Sequence, residues 1–377
     1  MFNYQILILI NTACIAFLLI MLITLVAATR MKGGAGWAAL IIVTTTVPVY
    51  LSNMTRVLEA DNYILFLFPA AFFNALCLPT LWFFTHSQYD KSFHFSAQKL
   101  WHTIPAFVSL FAYVVYYSSL SPEQIDTHRT FDNRTLPDYI NDIIIYGQFF
   151  GYYIFIFLYI RKRKKFLQNN YSDSEYLETR WIQRFITLSF VLFFIVFLAY
   201  LINPISEAWL IPILNVILMA YLVYCVISHS TTAYINRLPD VPQNTDKREN
   251  AASLPTMNDS QMKEICDKLT EYLLSTQAYK NIDLTLAALS VEIQIHPKSI
   301  STAINGYLHR NFFELVNGMR VEEAKRQIRE LSTSNYTVEG IYSDCGFRSR
   351  SAFYMAFKKF EGVSPAQWLK NNNKEVK

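Results

Sequence analysis

The sequence predicts an all-α protein in two parts: an N-terminal seven-span transmembrane helical domain and a C-terminal domain with two helix-turn-helix units. Three observations predict this arrangement. The 377 residues are 53% hydrophobic and only 16% charged, whereas soluble domains carry about 25% charged residues. Seven apolar runs lie within the first 228 residues. A polar region with helical periodicity and repeated helix-start signals follows them.

The uneven distribution of charge separates the two parts. Residues 1–228 carry 14 of the 33 Lys and Arg residues and 12 of the 29 acidic residues, and the shorter remainder carries the rest. A mean hydropathy of +0.20 excludes a disordered chain, because disorder needs low hydrophobicity and high net charge. We expect a transmembrane domain at 1–228, a flexible cytoplasmic linker at 229–259 and a soluble domain at 260–377.

The apolar runs predict seven membrane-spanning helices, since about 20 apolar residues cross the hydrocarbon layer. The first run lacks a basic flank and a cleavage site, so we interpret it as a retained span rather than a signal peptide. The second is the shortest and contains Pro48, which a membrane helix tolerates when neighbouring groups satisfy the backbone. The predicted spans are Tyr4–Ala28, Trp37–Asn53, Tyr63–Thr85, Trp101–Ser119, Tyr139–Ile160, Trp181–Ile202 and Trp209–Ile227.

Lysine and arginine in the short loops predict the orientation, because cytoplasmic loops are enriched in them. One alternating set of loops contains Arg30, Lys32, Lys91, Lys99, Arg161, Lys162, Arg163, Lys164, Lys165 and Arg180. The other set contains Arg56, Arg129 and Arg134. We therefore expect the amino terminus outside the membrane and, after seven crossings, the C-terminal domain inside.

The longest predicted external loop, Leu120–Asn141, is acidic. It is a candidate site for a signal ligand, although a solvated acidic loop accounts for the same residues. Its titratable residues include Glu123, Asp126, His128, Asp132 and Asp138. The five cysteines have no zinc or disulfide spacing, and the chain lacks a phosphate-binding glycine loop, a nucleophile elbow and HExxH. We predict no metal site, no cofactor and no enzyme activity.

Capping residues and apolar spacing predict the first half of the soluble domain. Apolar residues at three- to four-residue steps between Met262 and Leu273 indicate an amphipathic helix. Thr285 is a candidate N-cap for a short helix through Ile293. Pro297 suits the first position of the next helix, which runs to about Tyr307.

A longer helix and a second pair of short helices complete the pattern. The long helix is expected at Phe313–Leu331. Thr337 is a candidate cap for a helix ending near Asp344, Gly346 lies at the turn, and Ser349 is a candidate cap for a helix to about Phe360. Pro365 begins a terminal helix.

Two helix-turn-helix units thus recur about 50 residues apart. The long helix between them spans about 28 Å, and major grooves recur about 34 Å apart along one face of DNA. The spacing is compatible with two adjacent grooves. The pattern alone also fits a generic helical bundle.

The residues of this region carry a family resemblance. Its first unit reads LTLAALSVEIQIHPKSISTAIN, and its second ends in the run GF-x-S-x-S-x-F-x-x-x-FKK-x-x-G-x-SP. Leu284–Leu369, about a quarter of the chain, resembles the DNA-binding domain of AraC/XylS-type transcription regulators. Asn317, Arg320 and Ala324 match the linker-helix pattern. Departures from the pattern include Ser290, Gln294 and Tyr342, which stand where smaller residues are usual.

The resemblance implies which residues face DNA. The first recognition helix presents Lys298, Ser299, Thr302 and Asn305, and the second presents Arg348, Ser349, Arg350, Ser351, Tyr354 and Lys358. Arg350 is the best candidate for reading guanine, because guanidinium pairs bidentately with O6 and N7, and Asn305 suits adenine. Ser349, Ser351, Lys358 and Lys359 suit phosphate contacts, which position the protein without reading sequence. A solvated helix face is the alternative for each residue.

These observations lead to two competing functions. The first is a membrane-anchored transcriptional regulator that binds double-stranded promoter DNA and is coupled to a signal sensed in the bilayer. The second is a seven-helix receptor whose cytoplasmic helical domain docks proteins rather than DNA. The resemblance implies a bacterial protein, multi-pass in the inner (cytoplasmic) membrane. Homodimerisation and an unknown signal ligand stay open as further partners.

Overall fold

The protein is described by a computed structural model that covers residues 4–29, 35–54, 60–90, 93, 96–127, 134–172, 180–203, 207–229, 257–331 and 341–375. The chain divides into two compact units. The first is Met1–Ile160 with Thr179–Val241, and the second is Arg161–Glu178 with Pro242–Lys377. The described residues form helices joined by turns and short connections, with one isolated bridge. The all-α prediction is confirmed. Most of the predicted linker 229–259 lies outside the described residues.

The first unit is a bundle of apolar helices. They are α1 (Tyr4–Thr29), α2 (Ala35–Met54), α3 (Ala60–Asn74), α4 (Cys77–Tyr89), a 3-10 helix (Ala97–Thr103), α5 (Ile104–Tyr117), the short α6 (Pro122–Thr127), α7 (Leu136–Asn170), α8 (Arg180–Ile202) and α9 (Glu207–His229). Within the described residues, six segments are long and apolar enough to cross a membrane: Thr12–Thr29, Leu65–Tyr89, Ala97–Tyr117, Leu136–Asn170, Arg180–Ile202 and Leu210–Ser228. Each overlaps one predicted span.

The remaining predicted span, Trp37–Asn53, is helical but weaker in composition. It corresponds to α2, whose apolar part is the shorter segment Gly36–Pro48. Three hydroxyl residues interrupt its apolar run. Thr44, Thr45 and Thr46 each donate a hydrogen bond to the carbonyl four residues earlier, and Thr44 also meets Thr80 at 3.1 Å. Hydroxyl residues are typical of contacts between membrane helices, so α2 packs inside the bundle despite its lower hydropathy.

The outer surface of this bundle is apolar. Phe111 is 69% exposed and Ile143 is 73% exposed, and further exposed side chains include Phe17, Ile20, Ile154, Phe155 and Leu158. Many large exposed apolar side chains on long apolar helices are typical of membrane proteins. Asp142 on α7 is paired with Arg134, and the Tyr200 hydroxyl donates to its carboxylate at 2.6 Å. The pairing removes the penalty of an isolated charge near a span end.

The described residues of the second unit form seven further α-helices. They are α10 (Asp259–Ser275), α11 (Leu286–Ile293), α12 (Pro297–Tyr307), α13 (Phe312–Leu331), α14 (Ile341–Asp344), α15 (Arg350–Glu361) and α16 (Pro365–Glu375), with a 3-10 turn at Ala278–Lys280. These bounds confirm the helices predicted from capping and spacing. One apolar cluster surrounds Leu289 and Ile300, and a second surrounds Phe353 and Phe357. Thr337, the predicted cap of α14, lies outside the described residues.

Two turn residues with positive φ position the paired helices. Gln294 ends α11 with φ 56°, and Gly346 follows α14 with φ 86°. Glycine adopts this region without strain, whereas a side chain costs about 1–2 kcal/mol. A Cβ on Gly346 would lie 2.6 Å from the carbonyl oxygen of Lys280. Only glycine therefore allows the second turn to pack against the 3-10 turn.

Candidate nucleic-acid interface

Helix α12 presents a polar face opposite a buried one. Pro297 occupies the first position, and Nδ1 of His296 accepts a hydrogen bond from the Lys298 amide at 3.2 Å. Ile300, Ala303 and Ile304 form the buried face. Lys298, Thr302 and Asn305 are exposed, and Ser299 is half-buried. The four residues predicted to face DNA in the first helix-turn-helix unit are thus on or beside the solvent face of α12.

Asn305 is already engaged in a local hydrogen bond. Its Nδ2 donates to the carbonyl oxygen of Ser301 at 2.7 Å and lies 3.3 Å from the hydroxyl of the same residue. Pairing with adenine requires one N–H donor and the Oδ1 acceptor of the amide. Because the amide nitrogen carries two N–H donors, the hydrogen bond to Ser301 is compatible with a base contact.

Helix α15 has the same two-sided arrangement. The Ser349 hydroxyl accepts from the Ala352 amide at 3.2 Å and caps the helix. Ala352, Phe353, Ala356 and Phe357 are buried. The phenylalanines of the signature run therefore build the core and do not form a base-stacking surface. The exposed residues of α15 include Arg350, Ser351, Met355, Lys358 and Lys359.

The two arginines at the start of α15 differ in their surroundings. Arg348 forms a salt bridge with Asp283, the residue two positions before the cap of α11. Arg350 is exposed, and its guanidinium lies 5.2 Å from the ring of Tyr354. A guanidinium is attracted to the face of an aromatic ring. The Tyr354 ring therefore helps to orient the guanidinium of Arg350 at the exposed start of α15.

The two lysines at the end of α15 also differ. Lys359 forms a salt bridge of 2.7 Å with Glu314 on α13. Lys358 is exposed, and its side chain forms no salt bridge within the part of the chain that the structure describes. Lys358 suits a phosphate contact, while Lys359 ties α15 to α13. Sequence spacing did not reveal the partners Asp283 and Glu314, because each lies more than 40 residues from its arginine or lysine.

The second unit offers little for metal or thiol chemistry. Among the residues that the structure describes, no group of three or more His, Cys, Asp and Glu side chains can hold a metal ion. Burial raises the pKa of the Cys345 thiol to about 12. A thiol that stays protonated at neutral pH is a poor nucleophile. Cys345 instead belongs to the buried core around Phe353 and Phe357.

Comparison with known families identifies this region. Residues 289–371 match a family described as a helix-turn-helix domain. They form an AraC-type helix-turn-helix domain. The match runs from within α11 through most of α16, so it includes the connecting helix and most of both helix-turn-helix units. No curated protein and no solved structure matches the chain. The AraC-type domain binds double-stranded DNA, and among the described residues six candidate membrane-spanning helices precede it.

Proposed function

We propose that this protein is a membrane-anchored transcriptional regulator that reads promoter DNA with α12 and α15. The observation that carries the proposal is the two-sided construction of both helices. Each buries an apolar face in its own core. Helix α12 turns lysine and hydroxyl groups outward, and α15 turns arginine, lysine and hydroxyl groups outward. Helix α13 joins the units and is 20 residues long, about 30 Å at 1.5 Å per residue. That length suits two successive major grooves.

The segments that make up the second compact unit support a cytoplasmic position for the DNA-binding domain. Arg161–Glu178 belongs to the same compact unit as the helix-turn-helix domain. A compact unit cannot lie on both sides of a bilayer, so both segments share one side. The basic run 161–165 assigns that side to the cytoplasm. Helices α8 and α9 then cross twice and return the chain to it. This argument does not depend on whether α2 crosses the membrane, which affects only the side of the amino terminus.

DNA binding is tested with the full-length protein in lipid nanodiscs. A random duplex library is passed through rounds of selection, and the affinity for the enriched duplex is measured by fluorescence anisotropy. Arg350→Ala should weaken binding to the enriched duplex by about 1–3 kcal/mol and relax the preference at one base position, because a bidentate base contact is lost. Lys268→Ala, an exposed lysine on α10, is the matched control and should bind as the unaltered protein does.

Lys358→Ala provides the contrasting result in the same assay. A phosphate contact carries no sequence information, so enriched and scrambled duplexes should lose affinity alike and the salt dependence should become shallower. If Arg350→Ala keeps both the affinity and the base preference, its role as a base reader is wrong. If no duplex is enriched at all, a domain that docks proteins becomes the better account. Pull-down with the same nanodiscs then tests that alternative.

A further inference from the structure

The second unit contains a segment from outside the helix-turn-helix domain. Helix α7 extends to Asn170, and its last ten residues belong to this unit. We define residues 166–172 as the strap. Leu167 and Phe313 of α13 form a small apolar cluster with Phe166 and Tyr171, and both are almost fully buried. The strap is therefore packed against α13, the helix that joins the two helix-turn-helix units.

Ser172 is the most tightly held residue of the strap. Its side chain and backbone are fully buried. Its amide and its hydroxyl both donate to the carbonyl oxygen of Leu284, the hydroxyl at 2.8 Å. Its own carbonyl accepts from Nδ2 of Asn317 at 2.8 Å and from Arg320 at 3.1 Å. A single strap residue thus joins the start of the first helix-turn-helix unit to the middle of α13.

Arg320 extends this connection. Its guanidinium is 1% exposed and lies 3.1 Å from the Ser172 hydroxyl. It also donates to the carbonyl oxygens of Tyr279 and Asn281, at 2.6 Å and 2.7 Å. Removing the strap would leave a buried guanidinium with fewer acceptors, which is unfavourable. The domain is therefore built to have the strap in place.

The strap reaches the start of α11 directly. Tyr171 forms an isolated antiparallel bridge with Thr285, and the Thr285 hydroxyl caps α11. Helices α11 and α12 pack on each other in one apolar cluster, so the position of α11 sets that of α12. The end of α7 is therefore connected, through Tyr171 and Ser172, to the start of the helix that packs on the first recognition helix.

We infer that the strap couples the transmembrane helix α7 to the DNA-binding domain and holds the first helix-turn-helix unit in its binding arrangement. The inference rests on the proposed function. Residues 166–172 of the same chain occupy the surface formed by α13 and the start of α11. A change in the membrane region would reach DNA by shifting the strap, with no need for release of the domain.

The first test weakens the strap in the full-length protein in nanodiscs. Leu167→Ala removes a buried contact, and Lys164→Ala on the same helix is the matched control because Lys164 is exposed. Hydrogen exchange of the Ser172 amide should be slow in the unaltered protein and in the control and faster in Leu167→Ala. Affinity for the selected duplex should fall about 5-fold or more in Leu167→Ala, within the usual range of allosteric coupling, and stay unchanged in the control.

The second test locks the strap. Leu167→Cys combined with Phe313→Cys should form a disulfide within one chain on oxidation, whereas either cysteine alone should not. The locked protein should retain full affinity for the duplex. A disulfide between two chains would overturn the assignment of the strap to its own domain.

The outcomes separate the strap from the proposed function. Exchange of Ser172 that is equally fast in all three proteins overturns the contact itself. Faster exchange with unchanged affinity overturns the coupling. If the unaltered protein binds no duplex, the proposed function fails, and the exchange of Ser172 and the crosslink still decide whether the strap is bound.

Discussion

At the scale of single residues, the basic side chains at and beside α15 differ in their surroundings. Arg348, which precedes α15, forms a salt bridge with Asp283, and Lys359 on α15 forms one with Glu314. Arg350 and Lys358 lie exposed on α15. The resemblance to AraC-type domains implies DNA contacts for Arg348, Arg350, Lys358 and Lys359. It did not predict the pairs, because salt bridges across more than 40 residues leave no periodic signal in one sequence.

Glu323 on α13 makes a pH-dependent contribution to stability. Hydrogen bonds from Arg326 lower its pKa to about 2, and Gln327 and Lys280 add to this effect against burial. A lowered pKa means that the ionised carboxylate is favoured in the folded state. Its contribution is complete above about pH 4.5, the ordinary value, and is lost as the pH falls towards 2.

We expect Glu323→Gln to lower the unfolding free energy of the domain by roughly 1–3 kcal/mol at pH 6 and to have little effect near pH 2. Glu322→Gln is the control, because the Glu322 side chain is 68% exposed. The measurement is a urea titration of the full-length chain in detergent, followed by Trp368 fluorescence relative to a Trp368→Phe reference. A loss that is equal for both variants, or independent of pH, would contradict this assignment.

At the scale of helices, capping residues and apolar spacing predicted most of the second unit. Thr285, Pro297, Ser349 and Pro365 begin helices as expected. The helix start at Asp259 has a capping box between Asn258 and Gln261, which the spacing of apolar residues did not indicate. Caps act within four residues and are readable locally, whereas the strap joins residues more than 100 positions apart.

The two turns give an opposed pair of predictions. Gln294→Gly should raise the unfolding free energy by about 0.5 kcal/mol, because relief of left-handed strain outweighs the added chain entropy. Gly346→Ala should lower it by about 1–3 kcal/mol, because its φ is positive and a Cβ meets the Lys280 carbonyl. The same urea titration measures both. Destabilisation by Gln294→Gly, or no effect of Gly346→Ala, would show that these turns differ from the described geometry.

At the scale of the whole molecule, composition predicted the division between apolar bundle and polar domain. Six spans meet the length and composition expected of membrane helices, and the second predicted span is a helix whose threonines bond within the bundle. Hydropathy alone undervalues such a helix, because it scores each residue as if it faced lipid. The assignment of Arg161–Glu178 to the second unit could not be predicted, since it depends on contacts that span the intervening helices α8 and α9.

The central claim is that one chain is both held in the membrane and bound to DNA. The most direct measurement is chromatin immunoprecipitation of the intact protein, with its membrane fraction assayed in the same cells and Arg350→Ala as the matched variant. We predict discrete promoter sites that share one sequence motif, their loss in Arg350→Ala, and an equal amount of both proteins in the membrane fraction. Absence of sites above the variant's background, or recovery of the unaltered protein from the soluble fraction, would contradict the account.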